Sequence, residues 1–257
     1  LCIQPGWLCQ FDFLAPMDNA SRPFSASLPG QLAFSAERQV ESDQQKLDEN
    51  KGGTVEGRVI YRADSKRRWR YARYYIKDRQ KGHLAEAVVA LSNKRLRQQE
   101  VSNKSTKFTM DQEDFRFIPE TIAIRTRDRI KFTNSDRVIH NVRTNDGARP
   151  FNINMAAGGG FTWDFKRAGG TRQPIRVGCV FHSAMRAWIF VFNHPYYLVT
   201  KADGQFRIEN VPPGEYQLEM VHPAGSLAWT KTIVVRKSET TRIDISVSAD
   251  HLKEKKQ

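Results

Sequence analysis

The sequence predicts an all-β protein, because short runs of alternating apolar and polar residues recur along most of the chain after residue 50. Turn signals separate several of these runs, among them Asp203-Gly204 and Pro213-Gly214. Apolar runs never approach the length of a membrane span, so the sequence predicts no transmembrane segment. The 39% content of hydrophobic residues is sufficient for globular domains.

The predicted elements follow one another from residue 54. Residues 1–50 are rich in Ser, Gln, Asp and Pro without a sustained period, which predicts a flexible leader that contains Cys2 and Cys9. No strands are assigned between His140 and Cys179, where several glycines fall, and residues 249–257 are predicted to be a charged tail. The predicted strands are 54–61, 85–91, 115–124, 128–134, 187–192 (apolar on both faces), two runs within 200–218, 232–235 and 243–247.

The segment from Cys179 to Met185 has the spacing C-x2-H-x2-M, and His140 lies upstream. One thiolate, two imidazoles and a thioether are the ligands of a blue-copper electron-transfer site. Zinc is a poor alternative, because it rarely binds a thioether. A free cysteine can also be a small buried hydrophobe, and a methionine in an apolar run can be plain core.

Several sequence patterns flank the candidate ligands. An F-x-P-x-x-I-x-I pattern lies at 117–124 and a D-x-I-x-F-x-N pattern at 128–134, followed by His140-Asn141-Val142. Further segments are Met110-Asp111-Gln112, Asn134-Ser135-Asp136 and His194-Pro195-Tyr196 followed by Thr200. Together these segments resemble the cupredoxins, with a short amicyanin-like ligand loop, and in particular the methylamine-utilisation type of blue-copper module.

This resemblance implies a Greek-key β-sandwich over 107–194 and one copper ion that cycles between Cu(II) and Cu(I). His140, Cys179 and His182 would form the trigonal plane, and Met185 would be the axial ligand. Asn141 would tie the two ligand loops together by hydrogen bonds, and such partners orient ligands and tune the metal. The resemblance also implies an extracytoplasmic location, in the periplasm or at the cell surface.

Two further expectations concern the surroundings of the site. His182 would lie nearer the surface and carry the electron, with an apolar collar for partner docking at Phe181, Ala184 and Phe151, although each of these is equally explained as core. Arg127 replaces the glycine that usually precedes the aspartate of the D-x-I-x-F-x-N strand, so this turn is expected to adopt another geometry.

The C-terminal part contains the pattern T-x-x-D-G-x-F-x-I-x-x-V-P-P-G-x-Y-x-L at 200–218. This pattern resembles the carboxypeptidase regulatory-like fold, a small transthyretin-like β-sandwich, and 53–59 with 87–91 match the first half of that fold. We therefore predict that 51–100 and 196–248 form one sandwich with the cupredoxin segment inserted in a surface loop. The alternative is an independent N-terminal hairpin on the cupredoxin edge. No zinc-hydrolase motif such as H-E-x-x-H is present.

The chain is basic, with a formal net charge of +13. Residues 51–107 contain 16 Lys or Arg and 5 Asp or Glu, a net of +11. The run 66–75 mixes arginines with aromatic residues, a pattern that also occurs in nucleic-acid-binding surfaces. Without a nucleic-acid-binding module, the favoured interpretation is a solvated face for an acidic redox partner of cytochrome or dehydrogenase type, or for polyanionic cell-surface material.

The sequence thus predicts a copper-dependent electron-transfer protein that is not an enzyme, because four protein ligands leave no open position for a substrate. Two alternatives are an extracellular structural or adhesive protein with incidental metal binding, and a copper storage or delivery protein. A reversible Cu(II)/Cu(I) couple with fast electron self-exchange distinguishes electron transfer from these two alternatives.

Overall fold

A computed structural model describes residues 52–63, 68–98, 105–144, 149–224 and 226–252, and it confirms the predicted all-β class. The predicted leader, Cys2, Cys9 and the end of the charged tail at 253–257 lie outside the described residues. Within the described ranges, no helix is long and apolar enough to cross a membrane.

The strands fall into three consecutive groups. The first is β1 (Gly53–Tyr61) and β2 (Val88–Ser92). The second is β3 (Lys107–Glu113), β4 (Arg116–Ile118), β5 (Thr121–Arg125), β6 (Arg129–Asn134), β7 (His140–Thr144), β8 (Asn152–Met155), β9 (Gly160–Asp164), β10 (Ile175–Gly178) and β11 (Arg186–Phe192). The third is β12 (Tyr197–Val199), β13 (Gln205–Val211), β14 (Gly214–His222), β15 (Leu227–Val235), β16 (Thr240–Arg242) and β17 (Ile245–Val247). Two single-turn helices, α1 (Ala72–Tyr75) and α2 (Lys94–Arg97), and a 3₁₀ helix (Ala249–His251) complete the described elements.

The first and third groups pair with each other. One sheet has the order β13-β1-β16, with β17 also paired to β1, and the other has the order β12-β2-β14-β15. Their inner faces share one core, which includes Val55, Val59, Leu91, Leu218 and Ile233. The pairing of β1 therefore runs across the intervening segment to strands that begin more than a hundred residues later.

The second group forms its own pair of sheets, β4-β3-β6-β9 and β5-β11-β10-β7-β8. In this group β3 runs parallel to β6, and β5 runs parallel to β11, while the other pairs are antiparallel. Strands β8, β9 and β10 occupy the glycine-containing segment that lacks a clear alternation of apolar and polar residues. The shared core contains Ile124, Phe132, Ile189, Cys179 and Met185.

Strand β11 lies between two hydrophobic cores, and this position explains why its sequence is apolar on both faces. Ala187, Ile189 and Val191 point into the core of the second pair of sheets, whereas Phe190 and Phe192 pack against Val88, Ala90 and Val221 of strands β2 and β14. The two phenylalanines are almost fully buried. Burial of such a side chain is worth about 1.5–3 kcal/mol. The cluster of Phe190 and Phe192 with residues of β2 and β14 therefore stabilises the contact between the two pairs of sheets.

The turn before β6 corrects one expectation from the sequence. Arg127 has a φ of 77°, so the turn keeps the left-handed conformation that favours glycine. The buried carboxylate of Asp128 accepts hydrogen bonds from the backbone N–H groups of Arg125 and Thr106, both at 2.8 Å. These hydrogen bonds hold the turn in its left-handed conformation. Arg127 therefore adopts the backbone conformation that favours glycine, and the turn does not change its geometry.

Candidate metal centre

The sheet β5-β11-β10-β7-β8 brings the candidate ligands together. His140 is the first residue of β7, and the segment 179–185 connects β10 to β11. Strands β7 and β10 are antiparallel neighbours, with Gly178 opposite Arg143. Because the start of one strand then lies at the end of its neighbour, residues 42 apart in sequence meet at one end of the sheet.

Three candidate donor atoms converge at this end. The Nδ1 atoms of His140 and His182 lie 3.1 Å apart, and the Sγ of Cys179 lies 3.7 Å from Nδ1 of His182. Among the described residues, these three side chains form the group of histidine, cysteine and acidic residues whose ligand atoms all lie within 4.8 Å of one another. His140 and Cys179 are buried, while His182 is half-buried.

This arrangement fits a soft or borderline metal ion. With metal–nitrogen bonds of about 2.0 Å and metal–thiolate bonds of about 2.3 Å, donors on one ion lie at most about 4.0 Å apart for two nitrogens and about 4.3 Å for nitrogen and sulfur. The distances of 3.1 Å and 3.7 Å fall inside these limits. The mixed imidazole and thiolate donors suit copper and zinc rather than magnesium or calcium.

Met185 closes the same loop. Its backbone N–H donates to the carbonyl of His182 at 3.0 Å, and the N–H of Cys179 donates to the carbonyl of Met185 at 3.4 Å. The side chain of Met185 is buried, and it belongs to the same core cluster as Cys179. The loop therefore holds all three of its candidate ligands in a small, backbone-bonded turn.

Asn141 connects the two ligand-bearing segments. Its backbone N–H donates to the Sγ of Cys179 at 3.3 Å, and its side-chain Oδ1 accepts from the N–H of Val180, also at 3.3 Å. The side-chain amide donates to Asn152 at 2.6 Å and to Asn154 at 3.0 Å on β8. A hydrogen bond from a backbone N–H stabilises a thiolate, and the side-chain amide bonds of the buried Asn141 to β8 fix the position of that donor.

Asp136 is a site residue that sequence reasoning did not assign. Its Oδ2 lies 2.6 Å from Nε2 of His140, so this carboxylate holds the ring with the proton on Nε2 and leaves Nδ1 free to bind a metal. Although burial acts to raise the pKa of Asp136, hydrogen bonds from the Phe115 N–H, His140 and the Asp114 N–H outweigh it and lower the pKa. The only sequence signal was its place in Asn134-Ser135-Asp136, just before the histidine segment.

The apolar surroundings differ from the predicted collar. Phe151 is buried in the core, where its ring contacts Phe132, Phe161 and Trp163, so it is not part of a docking surface. Of the two interpretations for Phe181 and Ala184, core or exposed collar, the structure has both residues exposed. Exposed large apolar side chains also occur on the loops that carry or flank the site, and these are Phe115, Val138, Ile139 and Val180.

The basic and aromatic run reaches the strand that follows Met185. The guanidinium of Arg186 lies 5.1 Å from the ring centroid of Tyr71, and the Arg70 guanidinium donates to the Tyr71 hydroxyl at 2.5 Å. The Tyr75 hydroxyl donates to Glu120 at 2.7 Å, and Glu120 also lies 3.5 Å from Arg186. Arg67 lies outside the described residues.

No family model matches the sequence, and a comparison with curated proteins finds no match. Among solved structures, the chain is similar to the oxidised form of a mutant amicyanin, with 17% identity over 33% of this chain and 80% of that chain, at a TM-score of 0.30. A purple cupredoxin from Nitrosopumilus maritimus matches at 18% identity over 33% of this chain and 98% of that chain, with a TM-score of 0.28. A copper-containing nitrite reductase (NirK) from Thermus scotoductus SA-01 matches at 21% identity over 34% of this chain and 22% of that chain, with a TM-score of 0.31. These structural neighbours are cupredoxin-type proteins, and each matches about a third of this chain at a low TM-score. The resemblance to the regulatory-like sandwich stays a prediction.

Proposed function

We propose that this chain is an electron-transfer protein with one mononuclear type 1 copper site. The observation that carries the proposal is the convergence of the ligand atoms of His140, Cys179 and His182 within 4.8 Å at one end of a sheet, where His140 and Cys179 are buried. Copper bound there would supply a one-electron Cu(II)/Cu(I) couple. His140, Cys179 and His182 would be the trigonal ligands, and Met185 the weak axial ligand.

The chain's own residues would keep this site rigid. Asn141 holds the sulfur of Cys179 and the N–H of Val180, and Asp136 holds the far nitrogen of His140. A donor set that is fixed before the metal arrives needs little rearrangement when the charge changes. His182 is the least buried of the three donors, so it is the residue through which we expect the electron to enter and leave.

The test is a visible spectrum of the purified chain after loading with Cu(II) and removal of excess metal. We expect one tightly bound copper per chain and an intense visible thiolate-to-copper band. Cys179→Ser should abolish the band, because it removes the thiolate that supplies the transition. A protein that binds only zinc, or stays colourless when fully loaded with Cu(II), would overturn the proposal.

The remaining predictions from the sequence belong to the same proposal. Four protein ligands leave no open position for a substrate, so the chain itself is expected to be no enzyme. Fast electron self-exchange would support electron transfer, whereas transfer of the copper ion to an apo-acceptor would support storage or delivery. Copper binding that is weak, or that gives no visible band, would support the structural or adhesive alternative. The proposed location is the periplasm or the cell surface.

The proposed domain organisation has 51–100 and 196–248 as one sandwich and 107–194 as the metal-binding insert. It is supported by the pairing of β1 with β13, β16 and β17, and of β2 with β12 and β14. The proposed partner is an acidic redox protein of cytochrome or dehydrogenase type. The net charge of +13 and the contact between Tyr71 and Arg186, the residue after Met185, support this choice.

A further inference from the structure

The turn between β3 and β4 carries an unusual residue at its tip. Glu113 pairs with Arg116, so Asp114 and Phe115 form a two-residue hairpin turn, and their φ angles are 51° and 56°. Turns with both central residues at positive φ favour Asn-Gly or Asp-Gly, because a side chain is strained there. A bulky phenylalanine at the glycine position indicates a local constraint other than turn stability.

The ring of Phe115 contacts both candidate ligand histidines. Its centroid lies 5.4 Å from that of His140 and 4.9 Å from that of His182, with nearly perpendicular planes in both pairs. The remainder of the ring faces solvent, since Phe115 is 49% exposed. This side chain therefore lies between the imidazole pair and the solvent, with about half of its surface exposed.

One carboxylate holds both the turn and the ligand. Oδ1 of Asp136 accepts from the N–H of Asp114 at 2.8 Å, and Oδ2 accepts from the N–H of Phe115 at 3.0 Å. Oδ2 also lies 2.6 Å from Nε2 of His140. The strained turn is thus fixed relative to the histidine by a single side chain from another segment.

We propose that Phe115 is a fixed apolar cap over His140 and His182, positioned by Asp136, that keeps water and small external ligands from the metal centre. The inference rests on the proposed function for its purpose, but the shielding of His182 exists without metal. The turn geometry explains the strained phenylalanine, and the shared carboxylate explains why the cap stays above the imidazoles.

The test uses the metal-free full chain and compares Phe115→Gly with the unmodified protein. We expect the reaction of His182 with diethylpyrocarbonate, followed by peptide mass spectrometry, to become several-fold faster. Because glycine relieves the positive φ, we expect the midpoint of urea unfolding to stay unchanged or rise. Ile118→Ala is the matched control, since it removes an exposed apolar side chain from the same hairpin away from the tip, and it should leave the His182 rate unchanged.

Two further variants separate the cap from general packing. Phe115→Tyr keeps an aromatic ring and should keep the slow reaction. Asp136→Asn weakens the hold on the turn, so it should speed the reaction in the original background and add little to Phe115→Gly. In Cu(II)-loaded protein, Phe115→Gly should let azide perturb the visible band at concentrations that leave the unmodified protein unaffected.

An unchanged His182 rate in the Phe115→Gly variant would overturn the cap, and so would equal acceleration by Ile118→Ala. These outcomes are separate from a failure of the proposed function. If the chain shows no copper band but His182 is shielded by Phe115 in the metal-free state, the cap stands and the electron-transfer proposal falls. If the band is present and the shielding is not, the reverse holds.

Discussion

The backbone N–H of Met185 donates a hydrogen bond of 3.0 Å to the carbonyl of His182, so the two residues close one turn of the candidate ligand loop. This bond, and the one from the Cys179 N–H to the Met185 carbonyl, involves only main-chain atoms. A change of the Met185 side chain therefore leaves the connections of the loop intact. This separates the role of the thioether from the role of the fold.

Met185→Leu should retain the copper and the visible band but raise the reduction potential, because a weak thioether donor that favours the oxidised ion is lost. The two side chains have similar volume, so the cost in stability should stay below about 1.5 kcal/mol. Voltammetry of the loaded proteins measures the potential. Met110→Leu is the matched control, since Met110 is buried in the same core. Complete loss of copper would mean that Met185 is more than an axial ligand, and an unchanged potential would mean that it is not a ligand.

Arg127→Gly should stabilise the metal-free protein by about 0.5–1 kcal/mol. Relief of the left-handed conformation is worth about 1–2 kcal/mol, and the greater freedom of glycine in the unfolded chain offsets part of it. Chemical unfolding of both proteins measures the difference. Arg129→Gly provides the opposite case, because a glycine within strand β6 should destabilise by about 0.5–1 kcal/mol. If both variants lose stability equally, relief of strain at Arg127 does not determine the change in the free energy of unfolding.

The ligand set illustrates what sequence spacing can and cannot predict. The spacing of Cys179, His182 and Met185 predicts a short loop, and the structure places this loop beside His140, with the donor atoms of His140, Cys179 and His182 together. The role of these residues as metal ligands stays a prediction. Phe115 escaped prediction, because its contacts with the histidines arise from a turn with two residues at positive φ. Asp136 escaped prediction, because its spacing from His140 in the sequence does not show that its carboxylate reaches the imidazole. Side-chain alternation predicts that a residue is buried or exposed, but it does not predict which loops meet at the end of a sheet.

Strand β11 and Phe151 show the same difference between what the sequence predicts and what only the packing determines. The apolar residues on both faces of β11 were readable from the sequence, and the structure explains them by two cores on opposite sides of the strand. Phe151 was left open between the docking collar and the core, and it lies in the core. An aromatic residue in a glycine-rich segment without clear alternation gives no signal of direction, and only its packing against Phe132 and Trp163 determines it.

The stability of the metal-free protein should fall as the pH falls below about 6.5, the ordinary value for histidine. Burial lowers the pKa of His222 to about 3 and that of His194 to about 4. The folded state keeps these rings neutral, whereas the unfolded state binds protons below about pH 6.5, so each group contributes a loss of up to about 1.4 kcal/mol per pH unit. The loss levels off once the pH passes the folded pKa.

Urea unfolding at about pH 7 and about pH 5 measures this dependence, and the histidine variants assign it. His222→Gln removes the titrating ring and keeps a donor for the carbonyl of Ala85, which lies 3.2 Å from Nε2. The variant should cost stability at neutral pH and show a smaller loss on acidification than the unmodified chain. His194→Gln should act in the same direction. An identical pH slope in all three proteins would contradict the neutral, buried state of these rings.

The final prediction concerns the encounter with an acidic partner. The rate of electron transfer from an acidic cytochrome should fall as salt rises, because exposed charges are screened over about 10 Å at 0.1 M salt. The reduction potential should stay nearly constant. Replacing Arg67, Arg68 and Arg70 by Gln should flatten this dependence, since Arg70 binds the hydroxyl of Tyr71 and the ring of Tyr71 contacts Arg186, the residue after Met185.

A matched control removes positive charge at the far end of the β14–β15 hairpin. The ring of Trp69, within the basic run, packs against His222 at one end of this hairpin. Arg236 and Lys237 follow the opposite end, where Val235 pairs with Gly214, and strands of nine residues span about 30 Å. Because this distance is several screening lengths, Arg236→Gln with Lys237→Gln should leave the salt dependence of the stopped-flow rate nearly unchanged. The same flattening per charge removed in both sets would mean that only the net charge matters. A rate indifferent to salt in the unmodified protein would mean that docking uses the apolar surface around His182 alone.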